Sequence, residues 1–415
     1  MKVGTFFCTL CLLLVLSAAL VITPAPSYAA SRAEWTLAFY VSSDNGLDSW
    51  AQKDVEELMS VGSSKNVNIL LFWDKESDAG NLYKVAKNSL LELTDFEYHG
   101  IEPNMGNPET LRSFVTYASK RFPANKFALV LWDHGDDFRG LIYDEHIPGD
   151  GFDLLSNQEV VNALSGFRID TMIYAACVMS ELDVIYEYAV KGLDVDYLVA
   201  SEGYDTMDSF PFDLVLSSLT SRPAMTPLEF SVMAVDRYVD FYATIGKAYS
   251  QAVTMSVTQI NTADELGDAV LQLSRNLQAD IRGYAQIIAN AKGKANLPWS
   301  QNGWERLIDL KVFVQSIHDQ SLDATMVKGI DPLVVSSVVN DAEVVLTKIP
   351  QSVLYMRYLD PMGKHGVYGI STFFPGSRDS FEDNEKLYGV DYGSMAFARA
   401  GWLSFLYRYW DAGAK

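Results

Sequence analysis

One cysteine of the chain is placed to act as a nucleophile in a mature protein: Cys177, which ends the apolar run 169–176. A second apolar run, 127–133, delivers His134 with Gly135 directly behind it. A thiol within reach of an imidazole is what nucleophilic catalysis at a carbonyl needs, because the ring handles the proton while sulfur attacks. Glycine after the histidine permits close backbone approach, and the N–H groups of Cys177 and Gly135 are candidate donors to an oxyanion. Residues 178–183 read as a helix start, whose positive end would favour thiolate over thiol. Forty-two residues lie between His134 and Cys177, room for one loop, one helix and one strand.

The elements that must position this pair are legible as apolar patterns. Each strand run (35–43, 67–73, 127–133, 169–176, 196–201 and 253–260) is near-continuously apolar rather than alternating. That pattern fits strands covered on both faces by helices. Helices are predicted between them: one on the stripe Leu47, Trp50, Ala51, Val55, Leu58 and Met59, and one opened by Asn107-Pro108-Glu109. A third is opened by the capping box Ser156…Glu159. Residues 81–98 read as a hairpin. Strand–helix–strand repetition implies right-handed crossovers and a mostly parallel sheet, with ligand sites at the carboxyl ends of its strands. From Asn261 the composition turns helical. Thr262 is expected to cap one long helix on the stripe Leu266, Val270, Leu273, Leu277, Ile281 and Tyr284, with more helix near 305–320 and 331–348. The expected architecture is α/β over 30–260, followed by a C-terminal helical subdomain over 261–415 with a returning strand near 366–374.

Residues 1–29 read as a signal peptide. Lys2 is basic, 6–22 are almost wholly apolar, and Ser27-Tyr28-Ala29 offers a small-residue cleavage site. An anchor of about 17 apolar residues would sit at the lower limit for spanning a membrane; the cleavage site and the lack of a basic cluster after the run favour removal. Export to a periplasmic or extracellular location follows, with no integral membrane segment in the mature chain. Cys8 and Cys11 leave with the signal, so no intramolecular disulfide forms and the core must hold the fold. The formal charge of −21 argues against nucleic acid or anionic membrane as partners, since both need a basic footprint. A peptide or protein substrate is the expected partner, and the sequence does not specify an oligomeric state.

Residues 129–135 (Leu-Val-Leu-Trp-Asp-His-Gly), with Ala176-Cys177-Val178-Met179 downstream, resemble the clostripain-like cysteine peptidases. Trp35 to Tyr40, Asp44-Asn45-Gly46-Leu47, Ser201-Glu202, Phe210-Pro211-Phe212 and the stretch 369–375 fit in the same order. The resemblance implies a caspase-like fold and an endopeptidase in which Cys177 is the nucleophile and His134 its partner. Ala175 stands where the family usually carries an acid lining a pocket for Arg or Lys. Candidate substrate-binding residues are therefore Ala175, Ser201, Glu202, Asp205 and Asp208, the two aspartates being possible replacements for the missing charge. Asp136 and Asp137 replace the glycines that usually follow the histidine motif.

The loop carrying Asp136, Asp137, Asp144, Glu145, Asp150 and Asp153 is compatible with calcium, as in some relatives, but its spacing does not match an EF-hand. A solvated acidic loop is the simpler reading. The sequence requires no cofactor, and no metal site is assigned. The leading expectation is an exported cysteine endopeptidase working through a thioester. A caspase-like binding scaffold without efficient catalysis, and an acyl transferase using the same dyad, remain open.

Overall fold

The central sheet is built outward from β1 (Ala33–Ser43), which pairs in parallel with β2 (Val67–Lys75) on one side. On the other side follow β5 (Ala124–Trp132), β8 (Ile169–Ala175) and β9 (Val195–Ala200), all parallel. The edges are antiparallel. Beyond β2 lies the hairpin β3 (Asp78–Ala86) and β4 (Ser89–Glu92); beyond β9 lie β10 (Val253–Gln259) and β12 (Val353–Leu359). The nine-stranded order is β12-β10-β9-β8-β5-β1-β2-β3-β4. This computed structural model describes residues 1, 32–76, 78–149, 151–205, 210–245, 252–297, 306–360, 366–382 and 389–413. Met1 apart, the expected signal peptide lies outside the described residues.

Continuous apolar runs in the parallel strands supply side chains to both faces, and each face has its own core. One face packs α1 (Asp48–Val61), α5 (Phe212–Ser221) and α6 (Pro227–Ile245) against Trp35, Phe39, Leu71, Val130 and Ile173. The other packs α2 (Pro108–Arg121), α3 (Asn157–Leu164) and α4 (Leu182–Val190) against Tyr40, Phe72, Leu129, Met172 and Tyr174. Several helix starts are capped as residue type dictates, among them those of α2, α3 and the helix Ile281–Ala295. Asn107 accepts from Glu109 N–H, Ser156 and Glu159 form a capping box, and Asp280 accepts from Gly283 N–H.

Ala33–Lys415 forms one compact unit. The helices after residue 261 join the second of these cores: α7 (Ala263–Ala279), α8 (Ile281–Ala295), α9 (Leu310–Ser321), α10 (Pro332–Ser352) and α12 (Leu403–Asp411). Two expectations need correction here. The single long helix expected through Tyr284 is broken at Asp280 (φ −139°, ψ 64°), which ends α7 and caps α8. The returning strand expected at 366–374 is only β13 (Ser371–Phe373), paired with β11 (Leu307–Asp309) outside the large sheet. The strand that rejoins the large sheet is β12, preceded by the 21-residue α10.

Candidate active site

Register sets His134 near Cys177. Trp132 of β5 is level with Ala175 of β8, and Asp133 N–H continues the pairing to Ala175 O at 3.3 Å. His134 and Cys177 each stand two residues past that last pair, on adjacent parallel strands whose usual spacing is about 4.8 Å. Both are half-buried. Gly135 lies so close to Cys177 that a Cβ there would meet the Cys177 carbonyl oxygen at 2.3 Å and its nitrogen at 3.0 Å. A short antiparallel bridge joins Gly135 to Leu141. Its hydrogen bonds run from Asp136 N–H to Gly140 O and from Ile142 N–H to His134 O, so the bridge does not use the Gly135 N–H.

The segment after Cys177 is not helical, contrary to the sequence expectation. Val178 takes φ +53°, its N–H donates to Gly203 O at 2.8 Å, and α4 begins only at Leu182. Cys177 therefore does not sit at a helix N-terminus, and no macrodipole lowers its pKa. Burial pushes the thiol up to about 12, and the carboxylates of Asp205, Asp136 and Asp133 add to the rise; the Asp205 N–H opposes it. Burial holds the His134 imidazole below its ordinary value, against the pull of Glu145 and Asp136. At neutral pH the resting pair is a neutral thiol beside a neutral imidazole.

The expected substrate-binding residues fall into two groups. Asp205 lies beside the nucleophile, with burial raising its carboxyl to about 7 while Tyr238 Oη (2.9 Å) and Ala176 N–H donate to it. Ala175 ends β8 next to it, 8% exposed. Ser201 and Glu202 are fully buried and hold structure instead. Ser201 Oγ accepts from Gly203 N–H and contacts Thr254 Oγ1, and Glu202 accepts from Gly369 N–H at 2.8 Å while hydrogen-bonding Asp309. Asp208 lies outside the described residues.

Sequence reasoning missed the residues that hold His134. Its ring meets Tyr143 edge-on, centroids 5.5 Å apart. Tyr143 is fixed in turn: its N–H donates to Asp133 Oδ2, its carbonyl accepts from Asn45 Nδ2 at 2.9 Å, and Asn45 Nδ2 also reaches Asp133 Oδ1 at 2.9 Å. Behind the histidine, Arg306 pairs with Asp136 and, at 2.5 Å, with Asp137, while the buried Arg139 reaches both. The two aspartates thus anchor the post-histidine loop to the C-terminal half of the chain. Asn45, in the Asp44-Asn45-Gly46 turn, and Asp136 and Asp137 carried a visible signal, whereas Arg306 is distant in sequence.

The model of the clostripain family matches residues 39–410. Clostripain of Hathewaya histolytica is 25% identical over 222 residues, which is 44% of this chain and 42% of that protein. The chain thus aligns with less than half of that relative's length. Among solved structures, a secreted C11 cysteine protease of Bacteroides thetaiotaomicron, in complex with an irreversible peptide inhibitor, superposes with a TM-score of 0.65 at 18% identity. It covers 89% of this chain and 99% of its own. An inactive zymogen C11 protease of Parabacteroides distasonis gives 0.63 at 17% identity, covering 89% and 98%. At these identities the likeness establishes the fold.

Proposed function

Since the chain belongs to the clostripain family of cysteine peptidases, we propose that it is an exported endopeptidase in which Cys177 and His134 form the catalytic dyad. The thiol of Cys177 gives its proton to His134 as sulfur attacks the scissile carbonyl carbon. The N–H groups of Gly135 and Cys177 receive the developing oxyanion. His134 then returns the proton to the leaving amine, a thioester remains on Cys177, and water, deprotonated by His134, hydrolyses it to release the acid and restore the thiol. The observation that carries this reading is the register of β5 and β8, which puts both groups level at one edge of the sheet.

A positively charged side chain before the cleaved bond suits the site. Burial lifts the carboxyl of Asp205, beside the nucleophile, to about 7, and a cation bound there would draw it into its charged form. Removal of residues 1–29 on export completes the reading. Burial that keeps the Cys177 thiol protonated, together with Ala175 and the altered loop after His134, favours a non-catalytic binding scaffold. An electrophilic peptide probe bearing Arg or Lys decides between them. Labelling of Cys177, with cleavage of a peptide library lost by at least ~10³-fold in Cys177→Ala and His134→Ala, supports the peptidase. Native protein inert to both probe and library, with and without calcium, would establish the scaffold.

A further inference from the structure

Four neighbouring strands end in a line across the active-site edge, in the sheet order β9, β8, β5 and β1. Asp205 follows β9, Cys177 follows β8, and His134 follows β5. Beyond His134, at the end of β1, stands Tyr143: its carbonyl accepts from Ser42 Oγ at 3.0 Å and from Asn45 Nδ2. Its N–H goes to Asp133 and its hydroxyl donates to Asp136 Oδ2 at 3.2 Å, so backbone and ring are both held. Tyr143 lies in β6 (Gly140–Asp144), which pairs with β7 (Asp153–Ser156) and sets Tyr143 opposite Leu154. Phe152, just before β7, is thereby diagonal to Tyr143, a separation that aromatic side chains bridge. The result is a ladder of rings: His134 to Tyr143 at 5.5 Å and 71°, then Tyr143 to Phe152 at 5.4 Å and 62°. Both are edge-to-face contacts. Ile147 adds an aliphatic neighbour, its Cδ1 lying 3.2 Å from where a Cβ on Gly151 would stand. Phe152 stays 40% exposed, and no other phenylalanine among the described residues is open to this degree. A lone exposed ring is ordinary on a surface; one held in line with a dyad histidine is placed for contact with substrate.

We infer that Tyr143 and Phe152 form a subsite for an aromatic or large aliphatic side chain on the residue that follows the cleaved bond. The direction rests on the peptidase reading. His134 protonates the amine that leaves, so the substrate beyond the cut lies on the histidine's side of Cys177. The side chain before the cut lies on the other side, toward Asp205. One residue of extended chain spans about 3.3–3.6 Å, and adjacent strands stand about 4.8 Å apart. The residue after the cut therefore reaches the end of β1, where Tyr143 stands. Tyr143 forms a wall already fixed by its hydrogen bonds, so little freedom is lost when a side chain docks against it. Phe152 supplies the open apolar face. Ring carbon and Ile147 are what the ladder offers, so removal of apolar surface from water drives the docking. A hydrophobic pocket discriminates by about 10–200-fold per group, and a partly open one such as this belongs near the lower figure.

The test separates binding from chemistry. Peptides that differ only in carrying Phe, Leu, Ser or Asp directly after an Arg are titrated by calorimetry against full-length mature protein carrying Cys177→Ala. Cleavage of the same peptides by the wild type is followed by mass spectrometry. The Phe and Leu peptides should bind about 10-fold more tightly than the Ser peptide, and wild-type kcat/KM should follow the same order. Phe152→Ala should remove most of that ratio and Phe152→Tyr should retain it. Leu322→Ala, which trims an exposed leucine just after α9, should leave it unchanged. Equal affinity and equal cleavage across the peptides, or a preference that survives in Phe152→Ala, overturns the subsite. A binding preference that Phe152→Ala abolishes, with no peptide cleaved by the wild type, would uphold the subsite and overturn the peptidase reading instead.

Discussion

Gly135→Ala tests the geometry of the dyad without touching a reacting group. A Cβ at position 135 would sit 2.3 Å from the Cys177 carbonyl oxygen, 3.0 Å from its nitrogen and 3.0 Å from Met179 Cγ. The methionine side chain can swing away. The Cys177 backbone cannot, because β8 ties it to β5 on one side and the Val178 N–H ties it to Gly203 O on the other. Ordinary contact starts at 3.4 Å, so the two segments must part by about 1 Å. A misplacement of ~1 Å between reacting groups costs roughly 10²-fold in rate, or about 2.7 kcal/mol of transition-state stabilisation. Overpacking a tight site lowers stability by about 1–3 kcal/mol. Steady-state kinetics on a cleaved peptide, with thermal denaturation in parallel, should show kcat reduced ~100-fold, KM little changed and the protein still folded at the assay temperature. Wild-type kcat per folded molecule in Gly135→Ala would refute the close approach and the oxyanion role built on it.

Other perturbations probe the charges around the dyad. Asp205→Asn removes a negative neighbour of Cys177, so alkylation by uncharged iodoacetamide at pH 8 should quicken while kcat/KM for substrates with Arg or Lys before the cut falls at least ~10-fold. In the wild type, that alkylation should keep rising with pH past 9, as a thiol pKa of about 12 requires; a plateau near neutrality would disprove the neutral resting thiol. Arg306→Met leaves Asp136 and Asp137 without their principal cation, which should cost about 3–5 kcal/mol in chemical denaturation; an unchanged midpoint would show the pairing to be dispensable. Burial raises the Asp309 carboxyl to about 6 and Glu202 well above the usual range. Folded protein therefore holds protons that the unfolded chain releases near pH 4, and this contribution is present below that pH and lost as pH rises through 6 and beyond. Glu202→Gln should flatten that decline between pH 5 and 8, and an identical pH profile of melting temperatures would count against the shared proton.

The placement of His134 and Cys177 near one another was legible because a strand buried on both faces reads as an unbroken apolar run, and the residues just past such runs fall at the sheet edge. The capping box at Ser156 was legible because it is a contact between neighbours in sequence. What failed depended on distant partners. Residues 178–183 carry a helix-compatible composition, yet Val178 turns left-handed because its N–H is captured by Gly203. The stripe from Leu266 to Tyr284 keeps helical spacing through Asp280, and nothing local announces that this residue ends one helix and caps the next. Glu202 looked like a site residue because it follows a strand end, but its partners, Asp309 and Gly369, lie more than a hundred residues away.

A neutral resting dyad has a consequence for when the nucleophile forms. The thiol is held protonated chiefly by burial, with a smaller contribution from the neighbouring acidic side chains, and the imidazole is held neutral by burial alone. Moving the proton from sulfur to His134 before substrate arrives would place a thiolate among those carboxylates, which is unfavourable in a partly desolvated site. A bound cationic side chain near Asp205 reverses that balance, since it offsets the negative field that raises the thiol pKa. Proton transfer then becomes favourable in the occupied site, and the same charge that selects the substrate contributes to activating sulfur. Selectivity expressed this way appears in kcat as well as in KM, because the favourable interaction grows as thiolate develops. The absence of a helix start behind Cys177 fits this reading: a macrodipole would stabilise the thiolate whether or not substrate were present, whereas in the proposed peptidase a thiol kept neutral by burial would be activated by the substrate's own charge.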